Sequence, residues 1–341
     1  GWADSAECDY YGELNLYGLQ ELLFKHVVLD GEVFVKKCVV NNSKYPLKLQ
    51  VLSCDRLDTS RFSDGAVAGI EFDEHGHRKA YWFLSEPQQT AKRESVRVPA
   101  SDVIHIFKKD FSEQVRGIPW FSSVIMRLKD FDEYEDAELL KQKMAACFVG
   151  FYRDIESLGE DAFSDGEYQK ELIPGSILKA PSGQTIEFAN PPQSQSYSSY
   201  AEGAKLTCAT GLGVPYMLLS GDYSKTNYSS SRSAMHPFHR YVSSIQQNIV
   251  ITKLRTVETW LREQFSLLGY SCDESLIWSG PPREFVDPLK DIEANREAVK
   301  AGFRSHKSVV RELGEDPDDV YEEIKEERKR LHAMGLWKEG N

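Results

Sequence analysis

The chain has no run of about 18 apolar residues, the length a helix needs to cross a bilayer, so no segment is expected to span a membrane. Its six cysteines (Cys8, Cys38, Cys54, Cys147, Cys208 and Cys272) include no C-x-x-C pair and no framework spacing. They are expected to be reduced, buried thiols. The G-x-x-x-x-G-K-[ST] loop that cradles nucleotide phosphates is missing, which argues against an ATP-driven motor. Neither the G-x-S-x-G elbow of hydrolases nor the H-E-x-x-H of zinc proteases occurs. Basic charge is short as well: 41 Lys and Arg face 53 Asp and Glu, a net −12. Proteins that grip nucleic acid by its phosphates usually carry a basic face. The balance argues against a sequence-reading DNA binder, yet an acidic surface lets DNA pass without sticking. There is no initiator Met and no secretory leader pattern, and Gly1-Trp2 runs straight into what reads as mid-domain sequence, so upstream residues are expected.

What is present is enough for two or three hydrophobic cores, since 341 residues exceed the size at which a single core stops growing. Apolar spacing of three and four predicts a helix over residues 1 to about 29, ended at Asp30-Gly31. Short β-type runs follow at 32–40, 46–53, 66–73, 80–84 and 96–107, suggesting a small mixed sheet. A helix is expected over 122–148, with Val124, Leu128, Phe131, Tyr134, Ala137, Leu140 and Met144 as its apolar stripe. Its remaining surface carries Asp130, Asp132, Glu133, Glu135, Asp136 and Glu138, in ordinary circumstances a solvated face. An α/β insert is expected over 149–192: a strand at 149–153, a helix at 165–172, and a hairpin pairing 176–180 with 185–189. A second helix is expected over 194–212. Two helices flanking a compact insert make a projecting stalk.

Beyond Gly213 and Pro215, residues 220–232 hold Gly, Ser, Asp, Asn, Lys and Tyr with few apolar anchors, the composition of a functional loop. A long helix is expected at 234–268. Asp287-Pro288, Ser305 and Asp316-Pro317 open three final helices by the N-cap and N-terminal-proline rules. No catalytic constellation emerges. His75-Gly-His77 and His236-Pro-Phe-His239 lack the further Cys or carboxylate spacing of a metal site, so no metal and no cofactor is expected. Lys225 in the polar loop reads either as a solvated lysine or as a transient phosphate contact.

Several segments, taken in order, resemble the lambda-type portal proteins of tailed bacteriophages. They are Asp9-Tyr10-Tyr11-Gly12, Asp30-Gly31-Glu32-Val33-Phe34-Val35, Ile104-His105-Ile106-Phe107, Val115-Arg116-Gly117-Ile118-Pro119-Trp120, Gly211-Leu212-Gly213-Val214-Pro215-Tyr216, Tyr228-Ser229-Ser230-Ser231-Arg232 and the stretch from Gly280 to Pro288. The resemblance implies an α+β portal fold: an α/β wing (1–120 and 213–286), a two-helix stem (121–148 and 193–212), a small α/β clip (149–192), a long tunnel helix and a helical crown (287–341). It implies a homo-oligomeric ring, dodecameric in assembled phage, through which double-stranded DNA is packaged and ejected. A tunnel loop of Asp222, Tyr223, Ser224, Lys225, Thr226, Asn227, Tyr228 and Arg232 would lie near the duplex. Asp130, Glu133 and Asp136 would line the stem. The clip, with Tyr152, Arg153, Ile177, Lys179 and Glu187, would dock the terminase large subunit and later head-completion or adaptor proteins. A major capsid or scaffold protein would surround the ring. The location implied is the virion vertex, with host cytoplasm during assembly, and nucleotide hydrolysis would belong to the terminase. Two other readings stay open: a non-portal phage structural adaptor, and a hydrolase or nuclease using the scattered carboxylates with His75 and His77.

Overall fold

The computed structural model describes residues 1–41, 43–62, 65–85, 94–146, 150–154, 184–188, 197–269, 278, 280–281 and 288–336, the last part of the 125–146 helix and the two segments 150–154 and 184–188 as backbone alone. In chain order the elements are α1 (Leu16–Leu29), β1 (Glu32–Val39), β2 (Leu47–Ser53), β3 (Ala66–Val67), β4 (Ile70–Phe72), β5 (Arg78–Leu84), β6 (Ser95–Pro99), β7 (Val103–Phe107), α2 (Ile125–Ala146), β8 (Gly150–Asp154), β9 (Gln184–Phe188), α3 (Tyr197–Leu212), α4 (Tyr216–Ser220), α5 (Tyr228–Ile245), α6 (Thr252–Leu267), α7 (Pro288–Lys300), α8 (His306–Glu312) and α9 (Pro317–Ala333). They form two compact units. The first combines residues 1–120 with 226–341, and the second is 121–225.

The first unit is organised on two antiparallel sheets, β2-β1-β7 and β3-β4-β5-β6. β1 is central and buried at four consecutive positions from Glu32 to Val35, because both of its faces are covered. Val33 and Val35 face a core built with Leu16, Leu19, Leu23 and Val27 of α1 and Leu254, Val257 and Trp260 of α6. Phe34 faces the opposite way, into a second core with Leu57, Ile70, Tyr81, Phe83, Val98 and Val103. Alternation along one strand therefore serves two cores.

Several expected boundaries move, each for a local reason. The helix expected from residue 1 begins only at Leu16, because the buried Asp9 carboxylate accepts backbone N–H groups of Tyr11, Glu13 and Leu14 at 3.0–3.3 Å and fixes a loop there. Asn15 then caps α1 by accepting from Gly18 N at 2.9 Å. The strand expected over 66–73 is a tight hairpin, β3 and β4, turning through Ala68 and Gly69 at φ 49° and 83°. The run 96–107 is two strands, β6 and β7, in different sheets, broken by a short 3-10 turn at Ala100–Asp102.

In the second unit α2 and α3 run antiparallel, side by side. Tyr134 meets Tyr200 at 4.2 Å between ring centroids and stacks on Tyr197 at 6.1 Å, while Tyr197 Oη donates to Glu135 at 2.8 Å. At the other end Ser123 Oγ donates to Gly211 O at 3.1 Å. A Cβ on Gly211 would run into Val124 Cγ1, so glycine is what admits the close approach. Between the helices, β8 pairs antiparallel with β9, Tyr152 opposite Ile186. The expected partner of the 185–189 strand, residues 176–180, lies outside the described residues, as do the 165–172 helix, Ile177 and Lys179.

α8 and α9 begin where their caps placed them: Ser305 accepts from Ser308 N, and Asp316 accepts from Asp318 N with Pro317 in the first turn, while Asp287, the expected cap of α7, lies outside the described residues. Leu289 on α7 is 70% exposed, and Phe303, in the turn between α7 and α8, 85%.

Candidate functional site

The acidic helix is more selective than its sequence suggested. On α2, Asp130, Asp132, Glu133 and Asp136 are exposed, whereas Glu138 is only 8% exposed, with Lys141 at 3.7 Å and Gln142 at 3.4 Å, and Glu135 accepts from Tyr197. The expected apolar stripe is corrected accordingly. Val124, Phe131 and Tyr134 do pack, but Ala137 is exposed and Leu128 and Leu140 are 38% and 59% exposed. Tyr197 on α3 offers a hydroxyl, so a glutamate, Glu135, rather than a leucine meets it on that face. Glu133 is paired with Lys129 at 3.6 Å, both two-thirds exposed, an ion pair worth little in water.

The polar segment 220–232 is only partly loop. Ser220 closes α4 by donating to Tyr216 O, and Asp222 forms a tight turn by accepting from Ser224 N and Ser224 Oγ at 2.9 and 2.6 Å. Those hydrogen bonds, the one from the Ser224 hydroxyl foremost, hold the exposed Asp222 carboxyl below its usual range. Tyr223 is 56% exposed. Lys225 Nζ donates to both oxygens of Glu202 on α3, at 2.5 and 2.6 Å. Asp222, Tyr223, Ser224 and Lys225 lie in the second unit; Thr226, Asn227, Tyr228 and Arg232 lie in the first.

The expectation of loop through Arg232 is corrected, because α5 begins at Tyr228. Asn227 and Ser230 form a reciprocal capping box, Ser230 N donating to Asn227 Oδ1 at 2.9 Å and Asn227 N to Ser230 Oγ at 3.0 Å. Arg232 is thus a helical residue, donating to Tyr228 Oη at 3.2 Å and lying 3.8 Å from Asp291 on α7. Both cations expected to touch phosphate already have acidic neighbours within the chain. Of the clip residues, Tyr152 and Arg153 fall on β8 and Glu187 on β9.

His75 and His77 close a turn around Asp73, whose Oδ1 accepts both of their backbone N–H groups at 2.9 and 2.8 Å. Among the described residues no three His, Cys, Asp or Glu side chains come together as a metal site.

One cluster was missed by sequence reasoning. Glu32, 1% exposed, accepts from His105 Nε2 at 3.0 Å, from Arg116 Nε at 2.5 Å and from Gly117 N at 2.7 Å, and Arg116 Nη2 also lies against it. Burial alone would push its carboxyl up; the bonds from His105 and Arg116 outweigh that and hold it down to about 2. Burial drives His105 the other way, down to about 4, so its ring is neutral. The signal was available: a lone Glu and a lone His stand inside otherwise apolar strand runs, 32–35 and 103–107.

Comparison with known proteins adds the following. The model of a family described as phage portal protein, lambda family, matches residues 1–246. The probable portal protein of Halomonas phage phiHAP-1 is 28% identical, covering 98% of this chain and 70% of that protein. Portal protein B of Escherichia phage lambda is 22% identical over 90% of this chain and 67% of its own length. Among solved structures, a chain from the neck of the empty gene transfer agent particle superposes with a TM-score of 0.52 at 17% identity, covering 92% of this chain and 82% of that one.

Proposed function

The chain belongs to the lambda family of phage portal proteins, and from that premise we propose that it is one wedge of a ring at a capsid vertex through which double-stranded DNA enters and leaves. The observation that carries the reading is the antiparallel α2/α3 pair, which packs its tyrosines against one another and keeps Asp130, Glu133 and Asp136 in solvent. Repeated around an axis, such pairs make a wall of carboxylates that repels phosphates instead of capturing them. A ring of twelve copies fits the reading, since head-to-tail contacts between identical subunits close when the rotation per copy divides the circle.

In this assignment residues 1–120 and 213–286 form the wing, 121–148 and 193–212 the stem, 149–192 the clip and 287–341 the crown. The clip, through Tyr152, Arg153, Ile177, Lys179 and Glu187, docks the terminase large subunit and later the head-completion proteins, and the wing or crown meets the capsid or scaffold protein. The family is a structural one, and hydrolysis of nucleotide belongs to the docked terminase. The protein works in the virion, after assembly in the host cytoplasm.

The segment 221–227 is the part that meets the duplex. Its exposed Lys225–Glu202 pair holds Lys225 in place at little energetic cost to separation, so a passing phosphate can take the lysine from the glutamate. Lys225→Glu is expected to shorten the packaged DNA, measured by nuclease protection, while rings in electron micrographs of the full-length protein stay intact. Packaging of full length by that variant removes the loop from the mechanism, and full-length protein that never forms rings with an axial hole removes the portal reading itself.

A further inference from the structure

Three of the segments on which the family resemblance rests, 30–35, 104–107 and 115–120, the first far in sequence from the other two, meet at one buried carboxylate in the first unit. Glu32 sits at the start of β1 opposite Phe107, His105 lies two residues before Phe107 on β7, opposite Phe34, and Arg116 and Gly117 belong to the stretch by which the chain leaves that unit. The fit at this point is close. A Cβ on Gly31 would stand 2.5 Å from Pro119 N, and one on Gly117 would fall inside the Gly31 carbonyl oxygen. Gln114 adds bonds to the same stretch, its amide donating to Lys108 O and Arg116 O at 3.3 and 2.9 Å.

His105 donates through Nε2, so Nδ1 carries a lone pair, and among the described residues no donor reaches it. Phe34 stacks on the ring at 4.4 Å and Phe107 packs at 4.5 Å, so the imidazole cannot swing away to water. The knot is one anion, one cation and one neutral ring, with every bond aimed at Glu32. Stability alone does not call for it, because buried ion pairs are often replaceable by apolar residues without loss. What such a knot gives that apolar packing does not is direction: a guanidinium fork and a backbone N–H on one carboxylate fix the stretch in a single orientation.

We propose that Glu32 is a positioning residue for assembly: it holds residues 116–119 at one angle and thereby limits the number of copies that close the ring. This rests on the ring reading above. The tolerance is narrow, since rings of about 12 and about 13 copies differ by only about 2° of rotation per copy. A small freedom in the exit stretch is enough to admit both.

The experiment compares full-length protein with its Glu32→Gln and His105→Gln variants. It uses native mass spectrometry of the assembled rings, hydrogen exchange at the Gly117 amide, and thermal melting as the control for folding. The parent is expected to give one ring order. Glu32→Gln is expected to exchange the Gly117 amide at least tenfold faster and to give two or more ring orders. His105→Gln, which leaves Arg116 and Gly117 on the carboxylate, is expected to keep the parental order. A single parental order in Glu32→Gln with accelerated exchange overturns the proposal, as does unchanged exchange. Failure of both variants to fold assigns the cluster to stability and overturns it too. If the parent itself never forms rings, the ring reading fails with it, whereas a parent that forms rings beside an unaltered Glu32→Gln sinks this proposal alone.

Discussion

At Glu32 burial and hydrogen bonding pull in opposite directions, and three donors settle the outcome in favour of the charged form. For His105 beside it burial outweighs the bond to Glu32, and the ring loses its proton. Both groups therefore hold fewer protons in the folded chain than in the unfolded one. As pH falls below the ordinary histidine value of 6.5 towards about 4, the unfolded chain takes a proton that folded His105 refuses; below 4.5 Glu32 adds its share. Stability is thus fully present above pH 6.5 and is lost on acidification, by at most about 1.4 kcal/mol per pH unit for each proton of difference. Urea melts at pH 7.5 and pH 5 are expected to show this loss in the parent and a smaller one in His105→Gln. Equal losses in the two proteins contradict the assignment. Arg116→Ala, which strands the buried carboxylate, is expected to lower stability by about 3 kcal/mol or more in the same melts at neutral pH.

Among the elements, the long helix shows how far periodicity reaches. The apolar positions run 245, 249 and then 254, 257, 260, and the step of five between Ile249 and Leu254 does not fit an α-helix. A π-helical stretch, Gln246–Ile251, absorbs it, so that both halves face one core. Thr252 Oγ1 donates to Gln247 O at 2.7 Å across the widened turn. The sequence carried the stutter, with Ile249 followed by Val250, but reading it as one unbroken helix missed its meaning. The start of α5 was also misplaced, because Asn227 and Ser230 read as loop residues by type and act as a cap by position. Asn227→Ala is expected to cost about 1 kcal/mol and to speed exchange of the Ser229 to Ser231 amides, with Asn227→Asp restoring both. Unchanged exchange in the alanine variant argues against the cap.

For the whole molecule, the decisive property is the placement of charge. A chain of net −12 could spread its carboxylates anywhere, yet α2 keeps four of them in solvent along one helix and buries or bonds two others. On the proposed channel lining, replacing Asp130, Glu133 and Asp136 by their amides is expected to slow DNA entry at low salt, as phosphates begin to linger there. The difference should shrink at 0.5 M salt, where screening extends only a few ångströms. Packaging rates followed by nuclease protection at the two salt concentrations check this, and a salt-independent difference would point to altered folding of the helix instead.

The amino-acid sequence by itself determined the charge balance, the approximate position of most elements, the caps at Ser305 and Asp316 and the family resemblance. Each of these depends on residue types or on neighbours within a turn or two. Only the tertiary structure decided which carboxylates face solvent, that Lys225 lies on Glu202, and that Glu32 stays ionised in the interior. Those outcomes require partners 23, 73 and 85 residues away, and no local pattern states which distant donor a buried acceptor will meet.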